Sequence, residues 1–450
     1  MKNFLKALGF ILTFCFLFFC VSENIFKTRN SVADYIYNFA PKDSIDLLFI
    51  GSSHSYCAFN TKVFDNYLGI NSYNLGTHSQ SIQGSYYMVK EILKKQTPKI
   101  IILEAYSLIK EKDDNTVSYM NTRNIYDEMK FSLNKLALAN ESFPKKDILF
   151  LTFNTTTYHE KWKNFKETIP NFNFKTVEPD YKGFLGKNLN NIRGTLNYEL
   201  YEKEYKNKYN ESFPERNIEL LEELAQFLKS KNIKLIIVST PVIPRDSILK
   251  GKYCFETNEN IKKIIEKYNI DVINFNDGNL KLEKIQFLDD VHVSLAGSDL
   301  ISERTAEILK EKYLKYFNNR RNKIGKSSEY YFYNKNAQKN DGNFNEYNIK
   351  TKFENGIESD KVILYRKGKD IFEVFFKVSF EKDIYSYTSS KEETQVELFG
   401  KKIKFKEYLV NDKLYKYLLY PKYYIRKING EYYIYVKDFK VEESKLPINK

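Results

Sequence analysis

Short apolar runs recur along two stretches of this chain, residues 44–107 and 215–316, and amphipathic segments separate them. In the first stretch the runs are "IDLLFIG" (45–51), "INSYNLG" (70–76) and "PKIIILEAY" (98–106), with helical patterns near 58–68 and over 81–96. In the second, the helical "NIELLEELAQFLKSKN" (217–232) leads into "IKLIIVSTPV" (233–242), and "NENIKKIIEKYN" (258–269) into "IDVINF" (270–275). "SLAGSDLISERTAEILKEKYLKYF" (294–317) closes the series as a long helix with Ser294 at its N-cap. Apolar runs of this kind suit strands covered on both faces. Strands alternating with helices predict an open parallel sheet between two helical layers. In such sheets function gathers at the carboxyl ends of the strands.

At 450 residues the chain exceeds what one core usually holds. The interval 108–214 interrupts the alternation, and a loop of that length implies a folded insertion or a lid over the strand ends. "TRNIYDEMKFSLNKLALAN" (122–140) reads as a helix there, and "YHEKWKNF" (158–165) carries His159 and the sole tryptophan, Trp162. These two residues are candidates to line a substrate groove, local packing being the plainer alternative. The α/β domain with its insertion is expected over 30–317, and a polar basic linker over 318–339. Residues 340–450 read as a small sandwich-like all-β module, with Asn429-Gly430 as a two-residue hairpin turn. Exposed aromatics on that module could stack on sugars, and a tyrosine-rich β core would account for them equally well.

The first 29 residues stand apart. Lys2 and Lys6 precede an unbroken apolar run from Ala7 to Val21, which with Phe4 and Leu5 nears the ~20 residues that cross a bilayer. No small-residue cleavage site follows, and Phe18 and Phe19 are too bulky for lipoprotein processing before Cys20. A retained single-pass anchor in the cell membrane is expected, with a cleaved signal as the alternative. Either leaves residues 30–450 outside the cytoplasm. Cys57 and Cys254 are then the cysteines of the ectodomain, two buried thiols by default. No Cys/His spacing fits a metal, and nothing calls for a cofactor. Residues 320–450 carry 28 Lys+Arg and 19 Asp+Glu, so +9 of the chain's +13 resides there. For an extracytoplasmic protein this favours an anionic envelope polymer or lipid surface over nucleic acid as partner, unless it is only a solvated basic face.

"GSSHS" (51–55) stands where the first strand stops, and it is either a polar turn capping the next helix or the seat of a nucleophile. A catalytic serine needs a base, a group to orient that base, and donors for the oxyanion. Histidine is the natural base near neutrality, and the chain has four. His54 adjoins the serines and reaches back to Ser53 awkwardly, although His54 and His78 could line the pocket. His78 follows the second strand, and His159 lies in the insertion. His292, in "FLDDVHVSLAG", lies between the fifth strand and the last helix. Asp289, three residues before it, can be brought by a turn to hold the imidazole tautomer, although Asp290 competes for that role. Ser52 and Ser55 read as turn and capping groups. Glu104 ends the third strand as a substrate contact or the partner of a basic residue.

"GSSHS" after the first strand, "NLG" after the second and the D-x-x-H block before the last helix resemble the SGNH/GDSL hydrolase superfamily. The resemblance covers roughly residues 44–107 and 215–316. It implies a flavodoxin-like three-layer α/β/α domain, Ser53 as nucleophile, Asp289 and His292 as orienter and base, and the N–H groups of Ser53 and Gly76 as the oxyanion hole. The superfamily's third block usually supplies an Asn, whereas this chain has "LEAYSL" there. Asn74, Tyr106 or a donor from the insertion would have to compensate. This departure is similar to membrane-anchored envelope branches, the alginate O-acetyltransferase-like and D-alanyl-transfer proteins, which act with a membrane-bound O-acyltransferase. The resemblance implies a serine esterase or O-acyltransferase acting, through a Ser53 acyl-enzyme, on acyl esters of a cell-envelope polysaccharide, with acetyl as the expected group. The alternatives are D-alanyl transfer on teichoic acid and a non-catalytic protein that binds polymer or recruits the acyltransferase.

Overall fold

Five short strands, β1 (Leu47–Ile50), β2 (Ser72–Asn74), β3 (Ile100–Glu104), β4 (Lys234–Ser239) and β5 (Asp271–Asn274), pair in parallel in the order β2-β1-β3-β4-β5. This is the doubly wound, flavodoxin-like order, with its switch point between β1 and β3. The computed structural model describes residues 1–23, 32–109, 116–164, 182–186, 213–242, 258–277, 280, 282, 286–288, 291–317, 328–333, 343–353, 357–379, 394–405 and 423–447.

Alternate residues of each strand feed two separate cores, as a two-unit side-chain period requires. Leu48, Ile50, Ile101, Leu103, Leu235 and Ile237 face one way. There they meet helices α2 (Val32–Asn38), α5 (Ile82–Ile92), α11 (Glu215–Ser230) and α12 (Glu259–Tyr268). Leu47, Phe49, Ile100, Ile102, Ile236 and Val238 face the other way, against α4 (Thr61–Leu68) and α13 (Leu295–Tyr313). Between β1 and α4 lies a further helix, α3 (Ser53–Ala58). The sequence pattern showed one helix near 58–68. Two form because Ser52 caps α3 on His54 N–H and Asn60 caps α4 on Lys62 N–H.

The helix expected over 122–140 is broken in two, α7 (Thr116–Tyr126) and α8 (Leu133–Ser142), after the short α6 (Tyr106–Ile109). Ser132 caps α8 on Lys135 N–H, and the buried Lys135 ammonium turns back to donate to Met129 O at 3.1 Å. α9 (Lys145–Thr152), α10 (Asn154–Thr157) and a 3-10 turn (His159–Asn164) follow. These helices pack on α5 rather than over the strand ends: Gln83 and Tyr87 donate to Glu141, and Ser132 and Asn134 to Glu91. A second part of the insertion, 182–186, does run beside the sheet, since Asn74 N–H donates to Lys182 O and Leu185 N–H to Tyr56 O. α1 (Lys2–Val21) is a 20-residue exposed helix whose most apolar 18 residues have a mean hydropathy of 2.4, long and apolar enough to cross a membrane as anchor or signal.

The carboxy-terminal region is an antiparallel sheet of β6 (Phe344–Tyr347), β8 (Glu358–Gly368), β9 (Ile371–Val378), β12 (Tyr423–Ile428) and β13 (Glu431–Lys440) in the order β12-β13-β9-β8-β6. A short β7 (Thr351–Lys352) pairs with β8, and β10 (Thr394–Leu398) with β11 (Lys401–Phe405) forms a separate hairpin. Asn429 and Gly430 both have positive φ, as the type I′ turn of their hairpin demands. Val374, Phe376, Ile434 and Val436 pack on one face with Val396 and Leu398 of the hairpin. Phe375, Tyr433 and Tyr435 pack on the other with Tyr331 and Phe332. The latter two belong to α14 (Ser328–Tyr333), a buried helix inside the stretch expected to be a linker. Its aromatic residues make it part of the core. Tyr433 and Tyr435 are likewise core groups and not sugar platforms.

A buried ion pair fastens this sheet to the α/β domain. Arg426 donates to Asp299 of α13 from Nε at 2.6 Å and from Nη2 at 2.9 Å, and Asn60 Nδ2 donates to the same carboxylate at 3.2 Å. Removing one member of such a pair strands a charge. Arg426→Ala is therefore expected to lower unfolding free energy by about 3–5 kcal/mol. The double replacement Arg426→Met/Asp299→Leu should cost less than the single one, which urea denaturation of the variants checks.

Candidate active site

The carboxyl ends of the strands converge on Ser53. Gly51, with φ of +140°, turns the chain out of β1, and a Cβ there would lie 2.6 Å from Glu104 Cβ. Only glycine meets both conditions. The next residue, Ser52, caps α3, which sets Ser53 at its first helical position, where the N–H has no acceptor within the helix.

His292 follows β5, the edge strand, and is held by antiparallel pairing of the segments that flank it. Leu288 N–H donates to His292 O at 2.8 Å, Ser294 N–H donates to Gln286 O at 2.9 Å, and Phe287 pairs with Val293. A Cβ at Gly297 would fall 2.1 Å from Gln286 O, so this turn can close on α13 only over a glycine. The result places His292 Nε2 2.8 Å from Ser53 Oγ, across 239 residues of sequence. Ser53 is 7% exposed. Asp289 and Asp290, the candidates to orient the imidazole, lie outside the described residues, as do Cys254 and most of the second half of the insertion.

The two N–H groups expected to form an oxyanion hole fare differently. Ser53 N–H is at the head of α3, as the sequence implied. Gly76 N–H is not turned to the site: it donates to Asn74 Oδ1 at 3.0 Å. Asn74 is itself buried and fully engaged, accepting from Ser55 Oγ at 3.0 Å and donating to Ser55 O at 2.9 Å and Phe59 O at 3.2 Å. It is a strut between β2 and α3 and not a substrate contact, because every polar atom of its amide is used inside the fold.

Of the other candidates, Tyr106 is at the site. Its ring stacks on His54 at 4.4 Å, and His54 lies 4.9 Å from the His292 ring with its Nδ1 3.3 Å from Thr240 Oγ1. His54 is thus buried behind the base, and Thr240, at the end of β4, is a neighbour the sequence analysis did not single out. Its position at a strand end was the available signal. His78 is exposed on the turn after Gly76. His159 is exposed and bonded through Nδ1 to Thr156 O at 2.8 Å, within its own turn of the insertion, so the structure does not bring it to Ser53. Trp162 lies in the same 3-10 turn. Among the described residues no group of three His, Cys, Asp or Glu side chains is placed to hold a metal.

Glu104 proves to be internal. Its Oε2 accepts from Ser52 Oγ at 2.8 Å and Ser52 N–H at 3.2 Å, and its Oε1 accepts from Tyr106 N–H at 2.6 Å. Burial pushes its carboxyl up to about 7, against the pull of those donors and of His292. The substrate-contact alternative falls, since the residue is 1% exposed and faces the end of β1.

No protein-family model and no curated protein matches the sequence. Similar solved structures include one described as a lipolytic protein of the G-D-S-L family from Desulfitobacterium hafniense (14% identity, 59% of this chain and 99% of that one, TM-score 0.28). Another is described as an acylhydrolase from Bacteroides fragilis (12%, 63% and 95%, TM-score 0.29). A third is a GDSL-like lipase from Bacteroides thetaiotaomicron (11%, 63% and 99%, TM-score 0.27). At such scores the likeness is slight, and what the site can do follows from its own atoms.

The folded Glu104 carboxyl holds its proton more tightly than an unfolded one. Its contribution to stability is complete below the ordinary carboxyl range and is lost as pH rises through about 7. Glu303, also raised to about 7 by burial, acts in the same direction. Glu104→Gln keeps an acceptor for Tyr106 N–H and an amide for Ser52 Oγ, at the expense of the longer Ser52 N–H contact. Its thermal midpoint should fall less than that of the parent between mildly acidic and mildly alkaline pH. Parallel melting curves across that range would assign the titration elsewhere.

Proposed function

We propose that this chain is a membrane-anchored, extracytoplasmic serine esterase or O-acyltransferase of the SGNH type, acting on acyl esters of a cell-envelope polysaccharide. The observation that carries this is the 2.8 Å contact between Ser53 Oγ and His292 Nε2 at the carboxyl end of β1. In that geometry a neutral imidazole takes the Ser53 proton as Oγ attacks the ester carbonyl carbon. The Ser53 N–H faces the developing oxyanion. His292 then returns the proton to the departing alkoxide as the carbon–oxygen bond breaks. Attack by water, or by a sugar hydroxyl, on the Ser53 ester completes hydrolysis or transfer by the reverse proton movements. Asp289 is assigned the orienting role. Acetyl is the acyl group proposed, and the basic carboxy-terminal region and α1 support a large anionic polymer held near a membrane as the substrate.

One observation favours a second reading, an envelope protein that keeps the fold without the chemistry. Gly76 N–H is occupied by Asn74, and no Asn follows β3 in the third block. An oxyanion hole short of one donor loses about 10²–10³ in rate. Intact-mass spectrometry of the full chain in detergent with p-nitrophenyl acetate separates the two. An acetyl adduct is expected on the parent and absent from Ser53→Ala. His292→Ala should lower turnover by about 10²–10⁴-fold, as loss of a general base does. A folded parent that takes up no acetyl would decide for the binding protein.

A further inference from the structure

Apart from Met1 and α1, the described residues expose seven large hydrophobic side chains, and four of them lie together on the insertion. Leu133 is 83% exposed, Leu149 73%, Phe150 48% and Phe131 39%. They sit at the head of α8, on the turn before it and on α9. Single exposed hydrophobics are ordinary, but a cluster on neighbouring helices marks a surface that something apolar covers.

The end of α1 says what covers it. Phe18 packs edge-on against Phe153 at 5.4 Å, Phe19 against Phe131 at 5.6 Å, and Phe131 stacks on Phe153 at 6.1 Å. Beyond them, Thr155 N–H donates to Ser22 Oγ and Asn154 Nδ2 to Glu23 Oε1, both at 3.3 Å. The helix therefore runs directly onto the insertion. At about 1.5 Å per residue its 20 residues span about 30 Å, the thickness of a hydrocarbon core. Phe18 and Phe19 then stand at its outer boundary, and the side chains that touch them stand at the same depth. Lys145 and Lys146 are exposed on the same segment as Leu149 and Phe150, where their stems can lie along the apolar surface and their ammonium groups reach lipid phosphates.

We propose that the insertion is a second membrane-contact surface, with Phe131, Leu133, Leu149 and Phe150 seated in the outer headgroup and acyl boundary around the exit of α1. The occupant of this face is the bilayer itself, continuous with the lipid around α1. The proposal rests on α1 being a retained anchor, one part of the proposed function, and is independent of the chemistry at Ser53.

The test uses the full chain in vesicles of phosphatidylcholine and phosphatidylglycerol, with the phosphatidylcholine brominated high on its acyl chains. In a Trp162→Phe background a single tryptophan is placed by Leu149→Trp, Leu133→Trp, Phe14→Trp or Leu314→Trp. Leu314, exposed just past the carboxyl end of α13 and outside the insertion, is the comparison site. The expected result is loss of fluorescence by bromine quenching and a blue-shifted emission at positions 149, 133 and 14, and neither at 314. Quenching at 14 with positions 149 and 133 as unaffected as 314 would show that α1 spans while the insertion stands clear, and would overturn the proposal alone. No quenching at 14 would show that α1 is not in the bilayer, and would overturn the anchor and the proposal together.

Discussion

One buried carboxyl organises the edge of the sheet where the chemistry is proposed. Glu104 ends the central strand β3 and draws to itself the N–H and hydroxyl of Ser52 and the N–H of Tyr106. Ser52 is the cap of α3, so this carboxyl fixes where that helix starts and hence where Ser53 points. Tyr106 in turn supports His54, which backs His292. Burial pushes this carboxyl up to about 7, against the pull of its three donors and of His292.

The parts of the chain that flank the sheet are joined to it by side chains as well as by sequence. The helical insertion is bound to α5 through Glu141 and Glu91, and it receives the end of α1 on its other side. The carboxy-terminal sheet is bound to α13 through Asp299 and Glu303, the latter accepting from Asn429 N–H and Tyr333. α13 also closes the turn that carries His292. The same helix thus serves His292 and the distant sheet.

The α/β domain was legible in the sequence because its strands are buried on both faces and therefore read as unbroken apolar runs, β3 most plainly. The pairing of Ser53 with His292 was legible as well, since strand ends in a doubly wound sheet meet at one edge. What was not legible depended on contacts distant in sequence. The break after Tyr126 needs a lysine folded back on its own helix end. The burial of Ser328–Tyr333 needs a β face to receive its aromatics. Gly76 carries no mark that its N–H is taken by Asn74, and Glu104, expected to contact substrate or pair with a basic residue, carries no mark of its three donors. Residues such as Thr240, which contribute a single hydroxyl, leave only their place at a strand end as a signal.

The Asp299–Arg426 pair also bears on how the chain comes apart. A molecule of this length ordinarily melts piece by piece. Here, opening the carboxy-terminal sheet alone would leave a fully buried carboxylate without its guanidinium and would release Asn429 from Glu303. The penalty falls on α13, inside the α/β domain, so the two regions should lose structure in one step. It follows that the β region is not a portable unit. Excised and grafted elsewhere, it would present Arg426 and the Asn429 N–H without Asp299 and Glu303, the two carboxylates of α13 that now receive them.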